Sequence, residues 1–216
     1  MNIKTLLALI LSINFLSGCV TSRVDEMVFN EPEIGIGEAT AVILGRRHGS
    51  DYATEPDFVQ CVGTHIMKKD PTITIIPETY FLDHLYPWFE PRTAPLEPRN
   101  LQRFAEERAL LQKLESLDLA YMIWIDGSTK NTGSDGSLSC SLHGCFGFAT
   151  WSNEANYEAT IWDFTARAEV GKVNTESSGQ TYMPSIFVPL PIHAPVKGVA
   201  CDGIGDQLLE FLSGKF

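Results

Sequence analysis

Just past the apolar run 39–45 the chain reads Arg46-Arg47-His48-Gly49-Ser50-Asp51, which gathers two guanidinium groups, an imidazole, a hydroxyl and a carboxylate. Two arginines can hold a carboxylate or phosphate bidentately, and an imidazole can move a proton near neutral pH. Open α/β sheets bind ligands beyond the carboxyl ends of their strands, which is where this loop falls if 39–45 is a strand. Asp126 and Ser128 close a second apolar run and lie beside the loop if the two strands are neighbours. Arg46, Arg47, His48 and Asp126 are therefore the candidate ligand site. The plainer alternative is a solvated loop whose charge serves solubility. A His48-Ser50-Asp51 triad is disfavoured, because neighbours along a loop rarely converge into a base-to-nucleophile line.

Other chemistry is thinner. H-E-x-x-H, G-x-S-x-G and the phosphate loop G-x-x-x-x-G-K-[ST] are absent. Gly35-x-Gly37 precedes its strand instead of following it, and Gly203-x-Gly205 follows no clear strand, so neither reads as a dinucleotide fingerprint. Asp83-His84 with Glu78 could form an acid–base pair, but a surface helix with its aromatics tucked inward explains them as well. Tyr80, Phe81, Tyr86, Trp88 and Phe89 suit either a core or a proline-braced ridge for a partner. His65 falls on an apolar helix face and reads as a satisfied core histidine. No residue stands out as catalytic, and no cofactor is indicated.

The elements that must position these groups follow from periodicity. The β-branched run 39–45, ended by glycine, is a buried strand. Thr54-Glu55-Pro56-Asp57 fits a capping box with proline near the first helical position, and the helix runs to Lys68-Lys69 before Asp70-Pro71. A strand at 72–77 and a short helix stopped by Pro87 follow. Pro91, Pro95 and Pro98 form an extended connector. Residues 100–117 are helical in composition without one clean stripe. The run 117–127 is a central strand, and the Gly/Ser-rich stretch 127–144 is a flexible loop. Residues 145–151 and 157–165 form a hairpin through 152–156, with another strand around 168–175. The proline-rich 188–195 crosses the surface, and a last helix starts after Pro195. This order predicts an α/β (α+β) fold, one domain over 39–216 with a mixed β-sheet and helices packed on at least one face.

At the front, only Lys4 is charged before the apolar stretch 6–15, which is too short to cross a bilayer. A basic start, a short apolar segment and small residues before a cut are the layout of an export signal. Leu16-Ser17-Gly18-Cys19 resembles the lipobox of bacterial lipoproteins. The resemblance implies cleavage after residue 18, a diacylglyceryl thioether on Cys19 and acylation (palmitate in type) of the new amino terminus. It also implies Val20 as a residue compatible with outer-membrane delivery in a Gram-negative cell, where an aspartate would favour inner-membrane retention. Residues 19–38 then read as a flexible tether. Over 39–213 the element order is similar to the α/β domain of the curli-secretion lipoprotein and to the amino-terminal domain of the Tol-system propeller protein. That similarity carries no specific motif.

With Cys19 assigned to lipid, Cys61, Cys140, Cys145 and Cys201 remain, an even number for an oxidising compartment. The spacing of Cys140 and Cys145 suits a local clip. Phe58, Cys61, Val62, His65 and Ile66 share one helix face, as do Cys201, Ile204, Leu208, Phe211 and Leu212, so Cys61 and Cys201 point inward and can pair. Two alternatives stay open: free Cys61 and Cys201 packed as small hydrophobes, and a metal site from Cys140, His143 and Cys145, which lacks a fourth ligand. Losing Lys4 with the signal takes the net charge from −11 to −12. Such acidity argues against nucleic-acid binding and against docking on anionic headgroups through a basic patch. The expectation is a non-catalytic envelope lipoprotein held to the membrane by its lipid, with an envelope protein as partner. The alternative is a periplasmic enzyme or small-ligand binder using the loop after the first strand.

Overall fold

The computed structural model describes residues 19–29, 39–46, 53–90, 93–94, 100 and 107–214. In chain order the elements are β1 (Val20–Val28), β2 (Thr40–Gly45), α1 (Pro56–Lys69), β3 (Thr74–Ile76), α2 (Glu78–His84) and α3 (Arg108–Glu115). Then come β4 (Tyr121–Ser141), β5 (Gly144–Asp163), β6 (Ala168–Pro189) and α4 (Val196–Leu212). The strands form one mixed sheet in the order β1-β6-β5-β4-β2-β3, so the α/β class is as expected.

The parallel half of the sheet is built where both strand faces are apolar. β2 pairs parallel with β3, Ala41 opposite Ile75, and parallel with β4, Ile43 opposite Ile123. Alternation along β2 splits its side chains between two layers. Val42 and Leu44 join Met122 and Trp124 in a buried cluster with Phe81 and Leu85 at α2, and with Leu110 and Leu114 of α3. On the other face Ile43 and Ile75 approach Gly63 of α1, and Tyr121 meets Phe211 of α4 edge-on at 5.6 Å. Burial on both faces is what parallel strands need.

Contacts gather the chain into two compact units. The core unit contains Arg23–Ser128, Asn156–Glu176 and Ala200–Phe216, and with them, among the described residues, α1, α2, α3 and all of α4 but its first turn. The strand-end unit contains residues 19–22 of the described chain, Thr129–Ala155 and Ser177–Val199. β4, β5 and β6 each contribute a stretch to both units.

Several sequence expectations change. The tether expected over 19–38 is a strand at Val20–Val28, tied to β6 by Ser22–Ser177 (2.8 Å) and by the Phe29 amide on the Val170 carbonyl (2.9 Å). Backbone pairing at a sheet edge does not need large apolar side chains, so composition was a poor guide there. The Gly/Ser loop is the outer stretch of β4, and 152–156 lies inside β5 as continuous strand. Gly127, Gly136, Gly144 and Gly147 have positive φ in these strands, and a Cβ at Gly127 would meet the Asn156 carbonyl. Such glycines kink a strand without ending it. The cap of α1 is Glu55, not Thr54, whose hydroxyl donates instead to the Ile125 carbonyl at 2.9 Å. The signal segment, residues 30–38, Pro91, Pro95, Pro98 and 101–106 lie outside the described residues.

Candidate functional site

The carboxyl end of β2 is held by its neighbour. The Arg46 amide donates to the Ile125 carbonyl (2.9 Å), and its guanidinium bonds the Asp126 carboxylate at 2.6 Å. The sequence-predicted pair is thus brought together because β2 and β4 are adjacent and in register. Arg47, His48, Ser50 and Asp51 lie outside the described residues. Around the pair, Glu78 accepts the Gly45 amide at 3.1 Å, and the Tyr157 hydroxyl donates to Glu55 at 2.9 Å while its ring stacks on Phe58 at 3.6 Å. Both members of the Arg46–Asp126 pair are over a third exposed, so it is a solvated ion pair worth about 0–1 kcal/mol. The contact uses one terminal nitrogen of the guanidinium.

A separate concavity lies beside α1. A groove of about 390 Å³ between α1 and the strands β2 and β3 is lined mainly by apolar groups, among them Ile43, Val59, Gly63, Met67 and Ile75, with Glu78 at its polar end. Neither Arg46 nor Asp126 lines it. At the strand end itself, beside Gly45, Glu78 and Trp124, the space is only about 20 Å³, room for about one water.

The remaining candidates separate. Glu78 accepts the Gly45 amide, whereas the His84 imidazole bonds the Ser116 hydroxyl at 3.0 Å. Of the aromatics, Phe81 and Phe89 are buried and contact edge-on at 5.0 Å, while Tyr80 and Tyr86 are exposed. His65 is satisfied by carboxylates: Nδ1 lies 2.9 Å from Asp202 and Nε2 lies 2.7 Å from Asp206, which also takes a bond from Lys69 at 2.6 Å. Burial pushes the Asp206 carboxyl up, but the bonds from Lys69 and His65 outweigh it and hold it below its ordinary value.

Both expected disulfides form. Cys61 joins Cys201 with Cα atoms 6.2 Å apart, linking α1 to α4, and Cys140 joins Cys145 with Cα atoms 4.0 Å apart across the Leu142-His143 turn. The metal alternative at Cys140, His143 and Cys145 falls, since the disulfide uses both sulfurs. One detail differs: Cys201 is fully buried but Cys61 sits at the exposed margin of its helix face, where Val59 and Gly63 are buried instead. Packing is tight there, and a Cβ on Gly205 would lie 2.6 Å from the His65 ring. Cys19 is the free cysteine and is exposed.

Sequence reasoning missed an exposed apolar surface in the strand-end unit, where Phe146 and Phe187 pack ring to ring at 5.0 Å. The period-two spacing of Phe146 and Phe148 and the lack of charge around them are the signals that mark it.

No family model matches the sequence, and a search of curated proteins found no match. Among solved structures, the chain is similar to a PelC dodecamer from Paraburkholderia phytofirmans at 11% identity, with a TM-score of 0.45 and coverage of 89% of this chain and 99% of that one. A single-substitution variant of the same dodecamer gives 0.44 over the same shares of the two chains.

Proposed function

We propose that this chain is a lipid-anchored cell-envelope protein, non-catalytic, that binds or helps assemble another envelope component. Lipid on Cys19 places it at a membrane, facing the periplasm from the outer membrane if the cell is Gram-negative. The observation that carries the reading is the division of the cysteines. Four are consumed in two disulfides, which persist in oxidising compartments, while Cys19, at the end of the Leu16-Ser17-Gly18-Cys19 motif, is left free and exposed. A thiolate is the nucleophile that lipid transfer requires.

The ligand-binding alternative would use the loop after β2, where Arg46 is ion-paired with Asp126 through one of its nitrogens, and not the groove beside α1, which contains neither residue. Fractionation of cells expressing the full chain or its Cys19→Ser variant tests the proposal. The parent is expected in the membrane pellet after a carbonate wash and the variant in an altered, unprocessed form. Identical processing and fractionation of the two would remove the anchor from the account.

A further inference from the structure

Two stretches of this acidic chain carry no charge. Neither 136–153 nor 177–195 contains Asp, Glu, Lys or Arg, although charged residues make up 20% of the sequence. Both belong to the strand-end unit, and β5 and β6, which hold much of them, are hydrogen-bonded neighbours. Their apolar side chains face water: Leu142 fully, Phe187, Val188 and Leu190 by more than half, Phe146 and Phe148 by nearly half. The Phe146–Phe187 contact at 5.0 Å and the Phe148–Tyr182 contact at 6.1 Å bring aromatic rings of β5 and β6 together. Clustered exposure of this kind marks an interaction surface, unlike apolar residues scattered singly.

Strand pairing with a second copy is opposed at both flanks. Beyond Thr181, β6 is met by its own chain at Tyr182, which exchanges hydrogen bonds with Ile192 at 3.0 and 2.7 Å, and at Pro184, whose carbonyl accepts the Leu190 amide. Pro189 and Pro191 also remove two donors there. The outer stretch of β4 carries Lys130, Asp135 and the positive-φ Gly136, devices that blunt an edge. A lipid surface, in contrast, requires what is present: aromatic and aliphatic groups with no charge to desolvate and no carboxylate to be repelled by anionic headgroups. Cys19 lies in the same unit, its carbonyl 3.2 Å from where a Cβ on Gly179 would sit. Eight residues of β6, about 26 Å, separate Gly179 from Phe187.

We propose that this charge-free aromatic face seats in the headgroup–acyl boundary of the bilayer, as a second, non-covalent membrane contact beside the lipid on Cys19. It rests on the anchor reading for the bilayer's presence, while its own chemistry is that of an interfacial patch. The test uses the full chain purified from membranes and reconstituted into phosphatidylcholine vesicles, with and without phosphatidylglycerol, whose acyl chains carry bromine at a shallow position. Tryptophan is introduced as Phe146→Trp, Phe148→Trp or, in the same unit, Ser134→Trp, and emission is compared with that of the parent.

The added emission at 146 or 148 is expected to fall about twofold, consistent with insertion about 5–10 Å deep, in both vesicle types, while that at 134 is unchanged. Two reporter positions keep the test informative if one substitution disturbs folding. Unquenched reporters at both positions in lipidated protein would overturn the inference, whether they are shielded by concentration-dependent self-association or left open to acrylamide. Quenching only with phosphatidylglycerol would also overturn it, because that is headgroup attraction. The mass of the amino-terminal peptide, read on the same sample, tells failure of the anchor from failure of this face.

Discussion

The two units hold their strands by different means. In the core unit, the parallel ladder β3-β2-β4 is apolar on both faces, and Ala41, Val42, Met122 and Ile123 are at or near zero exposure. In the strand-end unit, β4 over 129–141 and β5 over 144–148 have no buried residue, and their order comes from backbone pairing and the Cys140–Cys145 clip. Burial specifies the first region and covalent and backbone bonds specify the second. The lesson is that this protein keeps an exposed, sparsely charged sheet end because it does not depend on that end for its core.

Disulfides give the largest expected contrast. Replacing Cys61 and Cys201 together with alanine removes a long cross-link, worth ~5 kcal/mol in the loop-entropy picture before native strain is subtracted, whereas Cys140→Ala with Cys145→Ala removes ~2 kcal/mol. Denaturant titrations of the two double variants would show the order. Equal losses would mean that the local clip does more than close its turn.

Side-chain truncation sharpens the same comparison. Phe58→Ala leaves a cavity under α1 beside Tyr157 and should cost about 3–5 kcal/mol, while Phe146→Ala should stay within about 0.5 kcal/mol in water. A large loss at Phe146 would show that the exposed face is core after all.

The smallest effect concerns Glu26 in β1. Its carboxyl is raised above its ordinary value by burial and then by Glu210, and its Oε1 is buried without a partner. A raised acid binds its proton more tightly folded than unfolded, so this residue's contribution to stability declines as pH rises from its ordinary value of 4.5 through the folded one. Glu26→Gln should therefore raise Tm at pH 7 and lose that advantage near pH 4, which thermal melts at the two pH values would read.

Sequence legibility followed the same divide. The faces of α1 and α4 were readable because Phe58, Val62 and Ile66, and Ile204, Leu208 and Phe211, repeat at helical spacing and are buried. β2 and the start of β4 were readable as continuous apolar runs. Arg46 and Asp126 met because each directly follows one member of the Gly45–Ile125 pair, at the end of β2 and within β4. The outer stretch of β4 was not readable, since Gly, Ser and Thr with kinking glycines look like a loop when no side chain records the pairing. β1 was hidden likewise, by acidic residues at a sheet edge.

Mass spectrometry of the amino-terminal peptide of the mature protein tests the central claim most directly. The account predicts a chain beginning at residue 19 whose cysteine carries a diacylglyceryl group and an amide-linked acyl chain. A peptide retaining residues 1–18, or starting elsewhere with an unmodified Cys19 thiol, would contradict it.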